Sequence, residues 1–179
     1  MKSFIKNFLS VATDFIIPLI SIIILVLCFY IPQSNSYWNF LHLAPCYAGI
    51  YFWQSQRPDI FNIFSAFILG IIADVCEGTP LGINVLSFLL LYIISIQFSL
   101  RFNIQKFSYS WLLFGAAILI TLFFKMLMIS IMYRHFIPIN LLIVELLLIF
   151  ALYPLLARIY IWVERKYIHL EERYEKIEP

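Results

Sequence analysis

Residues 57–91, RPDIFNIFSAFILGIIADVCEGTPLGINVLSFLLL, set Asp74, Glu77 and three of the chain's five glycines among long apolar runs. Polar, small and turn-forming residues here follow a fixed order: Gly70, Asp74, Glu77, Gly78, Pro80, Gly82. The stretch reads as helix, tight turn, helix. Glycines and a proline end one helix and start the next, and two carboxylates lie where helix ends leave polar groups open.

Around this stretch the chain is strongly apolar. It has 179 residues, 63% hydrophobic and 12% charged, with mean hydropathy +0.93. Soluble domains carry roughly a quarter charged residues. The length suffices for about six helical membrane crossings at roughly 20 residues each. Membrane strands would alternate apolar and polar positions. The runs IIPLISIIILVLCFY (16–30) and LLIVELLLIFALYPLL (141–156) do not alternate. The expected fold is an all-α membrane protein, a bundle of six transmembrane helices.

The spans are expected at about 15–31, 40–53, 60–75, 81–100, 109–132 and 139–162, which makes residues 1–162 one transmembrane domain. The second, short and holding Pro45, is the weakest of the six. The first resembles a signal peptide, but its long apolar run lacks a small-residue cleavage site and reads as an uncleaved span. Before it, Phe4, Ile5, Phe8, Leu9 and Ala12 recur at helical spacing with Lys2 and Lys6 elsewhere, which suits a short interfacial helix. Thr13 or Asp14 can cap span one.

Six spans put both termini on one side. That side collects Lys2, Lys6, Arg57, Arg101, Lys106, Arg158, Arg165, Lys166, Arg173 and Lys176, against Arg134 alone opposite. The positive-inside bias therefore expects both termini in the cytoplasm. Residues 163–179 form a cytoplasmic amphipathic tail. Its Val163, Tyr167, Leu170, Tyr174 and Ile177 make a short seam for the lipid surface or for a partner helix.

Several function classes fall away. A net charge of +2 with no concentrated basic face gives no support to nucleic-acid binding. Cys28, Cys46 and Cys76 are scattered among apolar residues without metal-ligand or disulfide spacing. His42, His135 and His169 fall in different loops or in the tail, and no hydrolase, nucleotide-binding or zinc-protease motif occurs. The expectation is a non-enzymatic protein without cofactor or metal.

Two sets of residues carry the functional reading. On span three, Asn62, Ala66, Gly70 and Asp74 lie four apart on one face, the small-residue pattern by which membrane helices approach closely. That face and the turn Asp74–Gly82, with Glu77, Gly78 and Pro80, are the expected partner-binding or assembly surface; a plain packing seam is the alternative. Asp74 or Glu77 can accept hydrogen bonds from the open N–H groups of span four. Deeper in the membrane, Lys125 lies seven residues below the end of span five and Glu145 six below the start of span six. At about 1.5 Å per residue their depths agree within about 2 Å. An intramembrane Lys125–Glu145 ion pair is expected, or a polar cluster shared with Asp74, or a lysine that snorkels outward.

The order Arg57–Pro58, then Phe67, Gly70 and Asp74, then Pro80–Leu81–Gly82, resembles the MreD family of bacterial rod shape-determining proteins. The match covers about forty residues and leaves out Lys125 and Glu145. The resemblance implies a multi-pass protein of the bacterial inner (cytoplasmic) membrane. Such a protein helps assemble or regulate peptidoglycan synthesis in the cell-elongation complex. Its implied partners are MreC, MreB and the peptidoglycan synthases, besides the lipid bilayer. That family is in turn similar in fold to the substrate-binding components of energy-coupling-factor transporters. The alternative function is therefore a small-molecule-binding subunit of a vitamin-type transporter. Those components use an Ala-xxx-Ala patch on their first helix, which span one lacks.

Overall fold

The computed structural model describes residues 16–28, 41–102, 107–134 and 138–177, with backbone alone beyond residue 166. Among the described residues the chain is helical and contains no strand. The helices are α1 (Ile16–Cys28), α2 (Ala44–Gln56), α3 (Ile63–Glu77), α4 (Ile83–Arg101), α5 (Phe107–Tyr133) and α6 (Ile139–Ile177). A 3₁₀ turn, Leu41–Leu43, leads into α2.

Local chemistry sets these boundaries. Asn62 has an extended backbone, and its side chain accepts from the amides of Phe64 at 3.0 Å and Ser65 at 3.2 Å. It therefore caps α3 rather than contributing to the helix face. Gly78 ends α3 in the left-handed conformation, φ 64°, and its N–H bonds back to the Asp74 carbonyl. Gly82 precedes α4 with φ 115°. Both angles disfavour any residue with a Cβ, which explains why the turn uses glycine twice.

Helices α4, α5 and the Ile139–Lys166 part of α6 are each long and apolar enough to cross a membrane. Helix α2, with 13 residues, and α3, with 15, reach about 20 Å, less than the roughly 30 Å hydrocarbon core. The apolar helix α1 is shorter than the three long ones as well. Helix α6 runs 39 residues without a break, so the backbone shows no joint between the sixth span and the tail.

The span whose sequence looked weakest stands at the centre of the bundle. Every residue of α2 from Ala44 to Gln54 is buried. A helix without a polar face must be enclosed by others. Aromatic edges join it to its neighbours: Tyr47 to Phe88 of α4, Tyr51 to Phe114 of α5 and Tyr153 of α6, with Phe52 stacked on Tyr160 of α6. Tyr51 donates to the Ser110 carbonyl at 3.1 Å, and Tyr160 donates to the Pro45 carbonyl at 2.7 Å. At Gly49, an added Cβ would lie 2.5 Å from Ile22 of α1.

The outer faces are apolar. Phe64, Phe67, Ile71 and Val75 of α3, Ile120, Phe123 and Ile131 of α5, and Ile143 and Leu147 of α6 are exposed. Apolar exposure on this extent suits contact with lipid chains. The expected interfacial helix of residues 1–14, with Lys2, Lys6, Thr13 and Asp14, lies outside the described residues. So do His135 and the side chains of the tail seam beyond Val163.

Candidate functional site

Helices α3 and α4 form an antiparallel pair whose separation is set by Gly70. A Cβ there would lie 2.5 Å from Val85 Cα and 2.9 Å from Val85 N, so the two backbones touch. Ser65, Ala66, Leu69, Gly70, Ala73 and Asp74 are buried on this seam. This corrects the expectation that the small-residue face of span three is kept for a partner: Ala66 and Gly70 are covered by α4 of the same chain. Asn62 is separate again, an exposed cap at the far end of α3.

The turn closes on Asp74, whose residue is 1% exposed. Its carboxylate accepts three hydrogen bonds: from the Gly82 amide at 2.7 Å, the Asn84 amide at 2.8 Å and the Thr79 hydroxyl at 3.0 Å. Two of these donors are open N–H groups at the start of α4, where the helix end favours a negative charge. Of the two carboxylates expected to cap α4, Asp74 does so. Pro80 presets the backbone of the turn, and Ile83 donates back to its carbonyl at 3.4 Å.

Glu77, one turn later, faces the interior of the bundle instead. It accepts from Asn84 Nδ2 at 2.7 Å and from Lys125 Nζ at 3.2 and 3.4 Å. His42 Nε2 lies 3.7 Å from its Oε1. Asn84 also donates to Thr79 Oγ1 at 3.2 Å, which joins the Asp74 and Glu77 halves. Residues from the 3₁₀ turn, α3, α4 and α5 thus form one buried polar cluster.

The structure pairs Lys125 with Glu77 and not with Glu145, which corrects the expected ion pair. No Lys125–Glu145 bridge within 4.0 Å occurs among the described residues, although the two charges do act on each other. The reason is azimuth. Ser110, Phe114, Ala117, Thr121 and Lys125 share the buried face of α5, so the ammonium points to the bundle interior, where Glu77 stands. Equal depth fixes the height of a group, not the direction it faces.

Of the residues singled out from the sequence, Asp74, Glu77, Gly78, Pro80, Gly82 and Lys125 come together here. Ala66 and Gly70 hold α3 against α4, Asn62 lies apart, and Glu145 stands half-buried beside the cluster. Sequence reading missed His42, Thr79 and Asn84. The signal for Asn84 was present: a fully buried amide at the second position of an apolar helix needs a polar partner. His42 left no such signal, since it reads as one more loop histidine.

Fold and cluster together define a class: among the described residues, a helical protein with three helices of membrane length, its α3–α4 corner closed by a buried ionic and polar cluster. No family model matches the chain, and no curated protein or solved structure matches it.

Proposed function

We propose that this chain is a non-enzymatic component of the bacterial cell-elongation machinery, of the MreD kind, in the inner membrane. It crosses six times with both termini cytoplasmic, and helps assemble or regulate peptidoglycan synthesis with MreC, MreB and the peptidoglycan synthases. The observation that carries this reading is the use made of the stretch on which the resemblance rests. Gly70 sets the α3–α4 contact, Asp74 closes the turn, and Gly78 and Gly82 supply its left-handed backbone. These residues build a rigid scaffold corner, which is what an assembly protein requires. The distribution of lysine and arginine supports the topology. Short α2 fits a crossing because it is enclosed by protein and need not match the lipid thickness.

The surface left for a partner on this corner is the exposed face of α3, with Phe64, Phe67, Ile71 and Val75, and Leu81 in the turn. Photocrosslinkers at Phe67, Ile71 and Val75 are expected to capture a protein with one span, a coiled coil and a β-rich periplasmic domain. Crosslinks to lipid alone from all three positions overturn the assignment of that face.

The buried cluster gives the second reading its support, because charged groups inside a membrane bundle often serve ligands. A vitamin-binding transporter subunit would bind its vitamin tightly in detergent and co-purify with an ATPase pair. Absence of both outcomes eliminates it.

A further inference from the structure

Helix α6 has two faces of different fate. Ile149, Tyr153, Leu156, Ala157 and Tyr160 recur at helical spacing and are buried in the bundle core. On the opposite face Val144, Leu147, Ala151 and Leu155 are exposed. The same line continues through Arg158, Trp162, Arg165 and Lys166, which are exposed too. At 3.6 residues per turn all of these outer residues fall within a sector of about 100°. The stripe changes character once along its length. It is apolar as far as Leu155, and basic and aromatic from Arg158 onward.

The position of that change is physically informative. From Ile139, the first residue of α6, to Arg158 the helix rises about 29 Å, against roughly 30 Å of hydrocarbon core. Arg158 therefore stands where a crossing helix meets phospholipid headgroups. One turn on, Trp162 is 63% exposed, and Lys166 Nζ lies 5.2 Å from its ring centroid. Among the described residues, none of Arg158, Arg165 and Lys166 has a carboxylate within 4.0 Å. Glu164 lies off the stripe, on the bundle side of the helix, where Arg57 and Asp59 as well as Arg165 act on it. Three cations and an indole ring thus face away from the bundle at headgroup depth.

We propose that Arg158, Trp162, Arg165 and Lys166 form a binding site for the headgroup of an anionic phospholipid, whose acyl chains lie along Leu155, Ala151 and Leu147. Arg158 and Arg165 are about 10 Å apart along the axis, enough to bracket one headgroup. Each guanidinium can donate paired hydrogen bonds to phosphate oxygens, and Lys166 adds a point charge. An indole ring belongs at the depth of the headgroups, with the apolar chains beginning below it. Ala151, small between Leu147 and Leu155, leaves a shallow notch for a chain. The charge sets the selectivity. A zwitterionic lipid brings its own ammonium, which these cations repel, whereas an anionic lipid does not. The site requires only that α6 crosses a membrane, and neither functional reading above enters it.

The test uses the full chain in nanodiscs with about one phosphatidylglycerol per ten lipids, the rest being phosphatidylcholine. In one sample the anionic lipid carries bromine high on its acyl chains, and in the other the zwitterionic lipid does. Quenching of Trp162 fluorescence is read as the difference from Trp162→Phe. Normalised to composition, the ratio of anionic to zwitterionic quenching is expected to be about five or more, which the attraction of one surface cation suffices to give. The variant Arg158→Gln/Arg165→Gln/Lys166→Gln should bring the ratio to about one, the value for random mixing. A wild-type ratio near one overturns the proposal, as does a high ratio that persists in the triple variant. Absence of quenching by either lipid overturns it as well, and means that protein covers the stripe. A further measurement needs no charge variant: raising salt from about 0.05 M to about 0.5 M should at least halve the wild-type ratio, and a ratio indifferent to salt overturns the proposal equally.

Discussion

Lys125 illustrates how a buried charge on an apolar helix is held. Removing it by Lys125→Met leaves Glu77 buried with the Asn84 amide as its remaining close donor among those that bond it. Breaking one member of a buried pair costs about 3–5 kcal/mol, whereas removing both members is close to neutral. Lys125→Met should therefore lower thermal stability in detergent markedly, and adding Glu77→Gln should restore most of the loss. A double variant as unstable as the single one would contradict the pairing. In a charge swap, Lys125→Glu is expected to be rescued by Glu77→Lys and not by Glu145→Lys. The need for a partner was legible in the sequence, because a lone ammonium in an apolar helix is costly. Its identity was not, because helical rise gives depth while the partner is chosen by which way α5 faces.

The α5–α6 contact shows how one helix repairs another. Pro154 lies inside α6 and has no N–H, so the Phe150 carbonyl four residues earlier loses its helical donor. Trp111 of α5 donates to that carbonyl at 3.0 Å, and its ring stacks on Phe150 at 4.9 Å. Gly115, one turn further along α5, makes room: a Cβ there would lie 2.7 Å from the Phe150 ring. Trp111→Phe keeps most of the stacking but orphans the carbonyl, at a cost of about 1–3 kcal/mol. Pro154→Ala restores the missing N–H and should largely abolish that cost in the double variant. Additive losses in thermal melts would contradict this account.

The α3–α4 contact is different because backbone meets backbone. Gly70→Ala places a methyl 2.5 Å from Val85 Cα, which no side-chain movement relieves. A loss of about 1–3 kcal/mol is expected, and trimming Val85 to Ala should not recover it. At Gly49 the obstructing atoms belong to the side chains of Ile22 and Tyr160, so Gly49→Ala should be relieved in part by Ile22→Ala, with the Tyr160 hydroxyl, held on the Pro45 carbonyl, left in the way at 2.8 Å. Rescue at position 70 would mean that the two backbones are not in contact. This seam was legible as a small-residue stripe, but whether it received a neighbour in the chain or an outside partner was not. Both readings use the same residues at the same spacing.

Taken as a whole, the molecule is a bundle wrapped around α2. Sequence patterning disclosed the helical class and the α3–α4 corner, where Asp74, Gly78 and Gly82 have local reasons to be what they are. It ranked the span at about 40–53 as the weakest, because it is short and holds Pro45. Enclosure, which no local pattern reports, makes that short helix the core. The buried cluster was half visible for the same reason: Asp74 and Glu77 are near in sequence, while His42 and Lys125 reach them only through the packing of four elements. The proposed role, a membrane scaffold in the elongation machinery, rests on this corner and on the apolar face that α3 exposes beside it. For the proposed function the direct measurement is depletion of this chain in a rod-shaped bacterium that carries it, with cell width followed by microscopy and wild-type chain restored as the control. Cells that widen and round up, and recover on restoration, are the predicted result; rods of unchanged shape after full depletion would contradict it.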